Sequence, residues 1–125
     1  MWTRILLVFA GGGLGSVFRY FIGLWLNRND FLTPWGTFSV NIIGSLLIGL
    51  LAGYNLRNLN LSHEFQAFLI VGFLGGFTTF SSFAFENLIM LQQGKYLLFA
   101  AYFLTTIIAG LFAVSLGYHI SGYLR

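Results

Sequence analysis

The sequence predicts an all-α integral membrane protein with four spanning helices, and three observations support this fold class. Of the 125 residues, 58% are hydrophobic and 7% are charged, whereas soluble domains carry about 25% charged residues. The charged residues divide the chain into four long apolar stretches, each of which reaches the roughly 20 residues needed to cross a bilayer core. Short polar connectors join these stretches, so we expect a single membrane domain over residues 1–125.

The helices are expected near residues 3–27, 34–56, 63–92 and 95–123. The first begins like a signal peptide, yet it continues past Arg19 to Leu26 without a cleavage pattern and a polar domain, so we interpret it as a spanning helix. Helices are expected because unpaired backbone groups in lipid cost several kcal/mol each, and these continuous apolar runs lack the alternation of barrel strands. Four crossings place both termini and the middle connector on one side of the membrane.

The second stretch carries one strongly polar side chain within an uncharged run. Pro34 stands at its head, where a missing N–H costs nothing. Asn41 lies well inside the stretch, and its amide both donates and accepts hydrogen bonds. A lone asparagine at this depth is most often a clamp between helices, and the alternative is a polar group on an ion path.

The third stretch is the poorest helix of the four. Gly75 and Gly76 are followed by Thr78 and Thr79; glycine costs about 1 kcal/mol relative to alanine in a helix, and threonine hydroxyls compete for backbone carbonyls. We therefore expect a break near residues 75–79. Such a break frees carbonyls for a cation and presents the N–H groups of the next half-helix to an anion. The alternative is an unbroken helix whose glycines serve packing.

Aromatic, hydroxyl and acidic side chains follow the expected break. Phe80 and Phe83 share one helix face, and their positive ring edges are able to hold an anion, although phenylalanine in a membrane is ordinarily lipid-facing or core. Ser81 lies beside them, and Glu86 closes the segment. An acid at this depth either serves a function or reaches the interface near the end of the span.

The first and fourth stretches add the remaining polar candidates. Tyr102 and Thr106 are four residues apart and share a helix face, although such hydroxyls also bond to the preceding turn. Arg19 either extends to the lipid headgroups or lines a watery vestibule that concentrates anions.

The charges that flank the stretches leave the membrane orientation open. Arg4, Arg57 and Arg125 lie on the side of the termini, against Arg28 and Lys95 on the other, a bias too small for the positive-inside rule. The chain either inserts both ways and pairs as an antiparallel dimer, or takes one orientation from other features. Glycines four residues apart also favour close helix packing and an oligomer. These pairs are Gly11/Gly15, Gly49/Gly53 and Gly72/Gly76.

Several function classes are disfavoured by composition. The chain has no cysteine, which excludes disulfides and thiolate metal sites, and its histidines and acids have no recognisable metal spacing. Its net charge of +3 is spread without a run of bases, so no nucleic-acid partner is expected. No pairing of a nucleophile with a base is visible, so we expect no enzyme activity.

Three motifs occur in order along the chain, GGGLGSVFR at 11–19, GTFSVN at 36–41 and GFLGGFTTFSSFAFE at 72–86. Together they resemble the Fluc, or CrcB, family of fluoride channels, over nearly the whole length. The resemblance implies a multi-pass protein of the inner or plasma membrane that exports fluoride passively and so reduces its toxicity. It further implies an antiparallel dual-topology homodimer with two pores and a structural sodium ion, not transported, at the dimer centre.

The resemblance also implies a role for each candidate residue. The two phenylalanines and the asparagine that line the family's fluoride pore match Phe80, Phe83 and Asn41, and the hydroxyls of the third and fourth helices that extend it match Ser81, Tyr102 and Thr106. The first-helix arginine of the vestibule matches Arg19. The two backbone carbonyls per subunit that bind sodium match those of Gly75 and Thr78. Ala84 and Gly110 lack hydroxyls that some members carry, whereas the intact asparagine and phenylalanines favour a homodimer.

Two other functions compete with this interpretation. A small dual-topology multidrug exporter needs an acid in the first helix, where this chain carries Arg19. A non-transporting membrane scaffold would accept the glycine faces and the aromatic residues, but it gives Asn41 and the third-helix break no purpose.

Overall fold

A computed structural model describes residues 1–26, 34–59 and 61–124, apart from the side chains of residues 58 and 59. The predicted connector at residues 27–33, with Arg28, and the terminal Arg125 lie outside the described residues. Helix α1 runs over Trp2–Leu26 and helix α2 over Trp35–Tyr54. A π-helical turn, Asn55–Leu59, continues α2 toward the middle connector.

The third span consists of two helical segments. Segment α3 covers residues 63–77 and is α-helical at His63–Phe65, π-helical at Gln66–Leu74 and α-helical again at Gly75–Phe77. Segment α4 covers Phe80–Gln92. Thr78 and Thr79 lie between the two segments with extended backbone angles, ψ being 158° and 116° respectively.

The last span, α5, covers Tyr96–Ile120 and ends in a 3₁₀ turn at Ser121–Tyr123. The chain reverses between α4 and α5 at Gly94, whose φ of 70° lies in the left-handed region that favours glycine. The N–H of Lys95 bonds to the Met90 carbonyl and that of Gly94 to the Leu91 carbonyl. These two bonds form a Schellman cap that satisfies the last carbonyls of α4.

All four helical stretches are long and apolar enough to cross a membrane, and the described residues are helical wherever they have regular structure. The predicted four spanning helices are therefore confirmed. The ends of the spans also meet as the topology requires. Arg4 pairs with Glu64 at 3.6 Å, and the Arg57 guanidinium lies 5.0 Å from the centre of the Tyr118 ring. These contacts gather the two termini and the middle connector at one end of the bundle.

Glycines allow close contact in two pairs of helices, α1 with α3 and α2 with α5. A Cβ atom at Gly11 or Gly15 of α1 would collide with the carbonyl oxygens of Phe68 or Phe73 of α3. In the same way, a Cβ at Gly49 of α2 would collide with the backbone of α5. Backbones this close make many dispersion contacts with each other, and such contacts drive helix association where water is absent. Because these faces are used inside one chain, they do not support the oligomer that the spacing favoured.

Candidate functional site

The interruption of the third span forms the centre of the site. Thr78 continues the helix through its N–H, which donates to the Leu74 carbonyl at 3.0 Å. Its own carbonyl accepts a hydrogen bond of 3.1 Å from Arg19 Nη1 of α1. Arg19 therefore contacts the third span, instead of extending to the lipid headgroups as the cheaper interpretation held.

Asn41 bonds to both backbone polar groups of Thr79, the next residue of the interruption. The Thr79 N–H donates to Asn41 Oδ1 at 2.8 Å, and Asn41 Nδ2 donates to the Thr79 carbonyl at 3.0 Å. In lipid, backbone groups without partners cost several kcal/mol. Side chains from α1 and α2 thus supply partners that an unbroken helix would have provided itself.

Thr79 also begins the following helix. Its hydroxyl oxygen accepts a hydrogen bond of 3.2 Å from the Ser82 N–H, which is the geometry of an N-cap. The same hydroxyl lies 3.3 Å from Ser81 Oγ and 3.1 Å from Ser82 Oγ. The predicted pore residue Ser81 therefore stands beside the cap at the start of α4.

A groove of about 440 Å³ runs past this point, between α2, the third span and α5. It brings together most of the predicted site residues and adds several small or aliphatic neighbours. Of the predicted residues, its lining includes Asn41, Gly75, Thr78, Phe80, Phe83 and Thr106. Thr106 is buried, and its hydroxyl oxygen has no hydrogen-bond partner among the described residues. An unpartnered hydroxyl at this depth is a donor available to a ligand.

The two phenylalanines of the groove differ in their surroundings. Phe83 is 4% exposed and packs on Tyr102, with ring centres 5.3 Å apart. Phe80 is 78% exposed in a single copy, although its ring centre lies 6.1 Å from that of Phe83. The chain thus holds one ring rigidly and presents the other outward.

A second cavity, of about 470 Å³, is lined by residues from the start of α2, the later part of α4 and the start of α5. Glu86 and Tyr102 line it. Glu86 accepts two short hydrogen bonds, from the Thr37 hydroxyl at 2.6 Å and from the Tyr102 hydroxyl at 2.7 Å. The carboxyl group is therefore held by α2 and α5 together.

Sequence reasoning left Glu86 without a partner and missed Thr37 altogether. Thr37 stands four residues before Asn41, so both side chains lie on one face of α2. That spacing was the available signal. The structure also separates Tyr102 from Thr106, since Tyr102 lines the second cavity and Thr106 lines the groove.

The hydrogen bonding of the interruption bears on cation binding. In an α-helix the Thr79 N–H would bond to the Gly75 carbonyl, but here it bonds to Asn41. Gly75 is exposed, and a Cβ built on it would meet no atom within 4 Å. Carbonyl oxygens are the ligands that hard cations prefer. The carbonyl of Gly75, and that of Thr78 through its second lone pair, fit such an ion.

Comparison with known proteins gives consistent matches over almost the whole chain. A family model described as CrcB-like protein, Camphor Resistance (CrcB), matches residues 6–118. The chain is 48% identical over 125 residues to the fluoride-specific ion channel FluC of Bacteroides fragilis strain ATCC 25285, covering 97% of this chain and 94% of that protein. It is 47% identical over 117 residues to the protein of the same name from Agrobacterium fabrum, covering 91% and 92%.

Proposed function

Because this chain belongs to the CrcB-like family, we propose that it is a fluoride-selective channel of the plasma membrane that exports fluoride passively and so limits its toxicity. The relatives named as fluoride-specific ion channels match more than nine-tenths of this chain. A channel makes and breaks no covalent bonds, so the protein is not an enzyme.

The observation that carries the proposal is a row of hydrogen-bond donors in the groove, whose described lining contains no charged side chain. Asn41 and Thr106 line the groove with the rings of Phe80 and Phe83. Amide and hydroxyl hydrogens, together with the positive edges of aromatic rings, are able to replace the water around an anion. A row of this kind binds an anion well enough for it to enter and weakly enough for it to leave.

The second cavity suits the entry or exit of the ion. Lys95 lines it together with the acid Glu86 and with Tyr102. Both oxygens of the Glu86 carboxyl group accept hydrogen bonds from neighbouring hydroxyls, whereas Lys95 is exposed. Charged clefts with low-dielectric walls raise the local concentration of counter-ions. An interior-negative potential then pushes an anion outward by about 2.3 kcal/mol per 100 mV.

The working unit in this proposal is an antiparallel dimer of two identical chains. One copy leaves the groove open to the side and the Phe80 ring 78% exposed, and Asn41, Phe80 and Phe83 are all present in the same chain. A second copy in the opposite orientation would close the groove and complete two equivalent pores. The nearly balanced flanking charges allow both orientations to insert.

A sodium ion at the dimer centre is part of the proposal. The carbonyls of Gly75 and Thr78 would hold it, two from each chain, and the ion would cross-link the interrupted spans. The Gly75 carbonyl, whose usual helical donor bonds to Asn41 instead, supports this assignment. Arg19 already donates to the Thr78 carbonyl, so this oxygen would serve a guanidinium and a cation together.

Fluoride efflux from liposomes tests the function. Purified protein is reconstituted in vesicles loaded with potassium fluoride, valinomycin is added, and external fluoride is followed with an electrode. We expect rapid fluoride release and, in matched vesicles loaded with potassium chloride, no chloride release above that of empty vesicles. Fluoride that stays trapped while the protein is folded and dimeric would contradict the proposal and favour a scaffold.

A further inference from the structure

The side-chain amide of Asn41 bonds to both polar groups of one residue's backbone. Its oxygen accepts from the Thr79 N–H at 2.8 Å and its nitrogen donates to the Thr79 carbonyl at 3.0 Å. Asn41 lies on α2, and the two residues are 38 positions apart in sequence. The pair is therefore a tertiary contact, and its bond to the Thr79 N–H stands where a continuous helix would have a bond to the Gly75 carbonyl.

These two bonds stabilise the extended conformation of Thr79. With φ of −149° and ψ of 116°, Thr79 has the geometry of a strand, and Asn41 pairs with it much as a neighbouring strand would. Returning Thr79 to a helical conformation would break both bonds. The amide thus stabilises the interruption by accepting from the Thr79 N–H, which would otherwise need a helical carbonyl as its partner.

We infer that Asn41 is a positioning residue, whose amide holds Thr79 extended and thereby fixes the start of α4 and the Phe80 ring that follows. The inference deepens the proposed channel function and rests on it. Thr79 is the cap of α4 and Phe80 is its first helical residue. Any movement of the Thr79 peptide is therefore passed directly to the first aromatic ring of the groove.

The same contact determines which polar groups Asn41 offers to an ion. Only one orientation of the amide fits, because Thr79 presents a donor to one atom and an acceptor to the other. The amide oxygen is turned to the Thr79 N–H, and the nitrogen keeps one of its two hydrogens. Asn41 therefore meets the groove chiefly as a donor, which favours an anion over a cation.

Two simpler roles for Asn41 make different predictions. A side chain that bonds to the ion alone would leave the Thr79 peptide unchanged when it is removed. A clamp between α2 and the third span would change the stability of the whole helix pair. The positioning role instead predicts a local change at the Thr79 N–H, measurable by hydrogen exchange.

The experiment measures exchange of the Thr79 amide by NMR in threonine-labelled protein in lipid nanodiscs, alongside fluoride efflux. In Asn41→Ser the shorter side chain cannot reach both groups, so we expect Thr79 exchange to quicken by about tenfold or more and efflux to be lost. Ser45→Ala, one turn along the same face of α2, is the matched control and should leave Thr79 exchange unchanged.

Asn41→Asp, compared with Asn41→Ser at the same acidic pH, provides the conservative variant, because a protonated carboxyl group accepts from the Thr79 N–H and donates to the Thr79 carbonyl. Slow Thr79 exchange should return in this variant, whereas exchange as fast as in Asn41→Ser would overturn the inference. Unchanged Thr79 exchange in a folded Asn41→Ser protein would overturn it too, even if efflux were lost. If the unmodified protein released no fluoride but Asn41→Ser still quickened Thr79 exchange, the positioning role would stand and the channel function would fall.

Discussion

The Tyr102 hydroxyl donates a hydrogen bond of 2.7 Å to Glu86 Oε2 and so joins the last span to the end of the third. Thr37 donates to the other oxygen of the same carboxyl group at 2.6 Å. Three spans therefore meet at one acid, beside the Phe83 ring on which Tyr102 packs. This arrangement keeps the acid close to the proposed path of the ion.

Replacing Tyr102 with phenylalanine should slow fluoride efflux by about tenfold, because a lost hydrogen bond to the carboxyl group changes the barrier by about 1.4 kcal/mol. The ring remains and continues to pack on Phe83. Efflux from liposomes with a fluoride electrode measures the effect. Tyr96→Phe is the control, since that ring is exposed near the start of α5. Unchanged efflux in Tyr102→Phe would remove this hydroxyl from the path.

Replacing Phe80 with isoleucine should abolish fluoride efflux and leave the dimer intact. The ring is 78% exposed in one copy, so its loss creates no cavity within the chain, whereas the positive ring edge disappears from the groove. Efflux and size-exclusion chromatography are measured together. Phe85→Ile, on another face of the same helix, should retain efflux. A Phe80→Ile protein that conducts normally would show that this ring does not contact the ion.

Replacing Gly15 with alanine should lower the free energy of unfolding by about 1–3 kcal/mol, the usual cost of overpacking. A Cβ there would collide with the Phe73 carbonyl oxygen, and backbone cannot give way easily. Gly13→Ala, in the same motif, is the control, because a Cβ at Gly13 would meet nothing within 4 Å. Thermal unfolding in detergent compares the two. Equal stability of both variants would contradict the close approach of α1 and α3.

Removing sodium should weaken the dimer. If the carbonyls of Gly75 and Thr78 bind the ion, sodium at 100 times its dissociation constant stabilises the protein by about 2.7 kcal/mol. The melting temperature in detergent should rise with sodium concentration and change much less with potassium, the matched control. Equal effects of the two salts would argue against a specific site.

The absence of cysteine from the sequence allows a direct test of membrane orientation. A single cysteine introduced as Gln93→Cys, in the turn before α5, should react with a membrane-impermeant maleimide in about half of the molecules in intact cells, because the proposed antiparallel dimer requires both orientations in equal number. Lysed cells provide the complete reaction as a control. Labelling of all molecules or of none would show a single orientation.

Sequence alone predicted the four spanning helices, because charge and hydrophobicity report directly on the solvent that each stretch meets. The pattern Gly75-Gly76-x-Thr78-Thr79 also predicted an interruption within residues 75–79, and the extended residues Thr78 and Thr79 lie in that range. Local propensity was informative there because glycine and threonine both weaken a helix.

The partners of these residues could not be predicted from one sequence. Asn41 was weighed as a clamp or as an ion ligand, and its two bonds to Thr79 depend on how α2 packs against the third span. Arg19 and Glu86 were similarly undecided, because contacts with Thr78, Thr37 and Tyr102 are tertiary. The glycine pairs were recognised as packing faces, but a spacing of four does not say which helix the face meets.

The glycine contacts have a consequence for the order of assembly. The close approaches of α1 to α3 and of α2 to α5 are completed within one chain, so these contacts need no second copy to form. In the proposed dimer, pairing would then be a bimolecular encounter in the plane of the bilayer, between two packed chains of opposite orientation. The fraction of working channels should therefore depend on protein density in the membrane, rising as the protein-to-lipid ratio is increased.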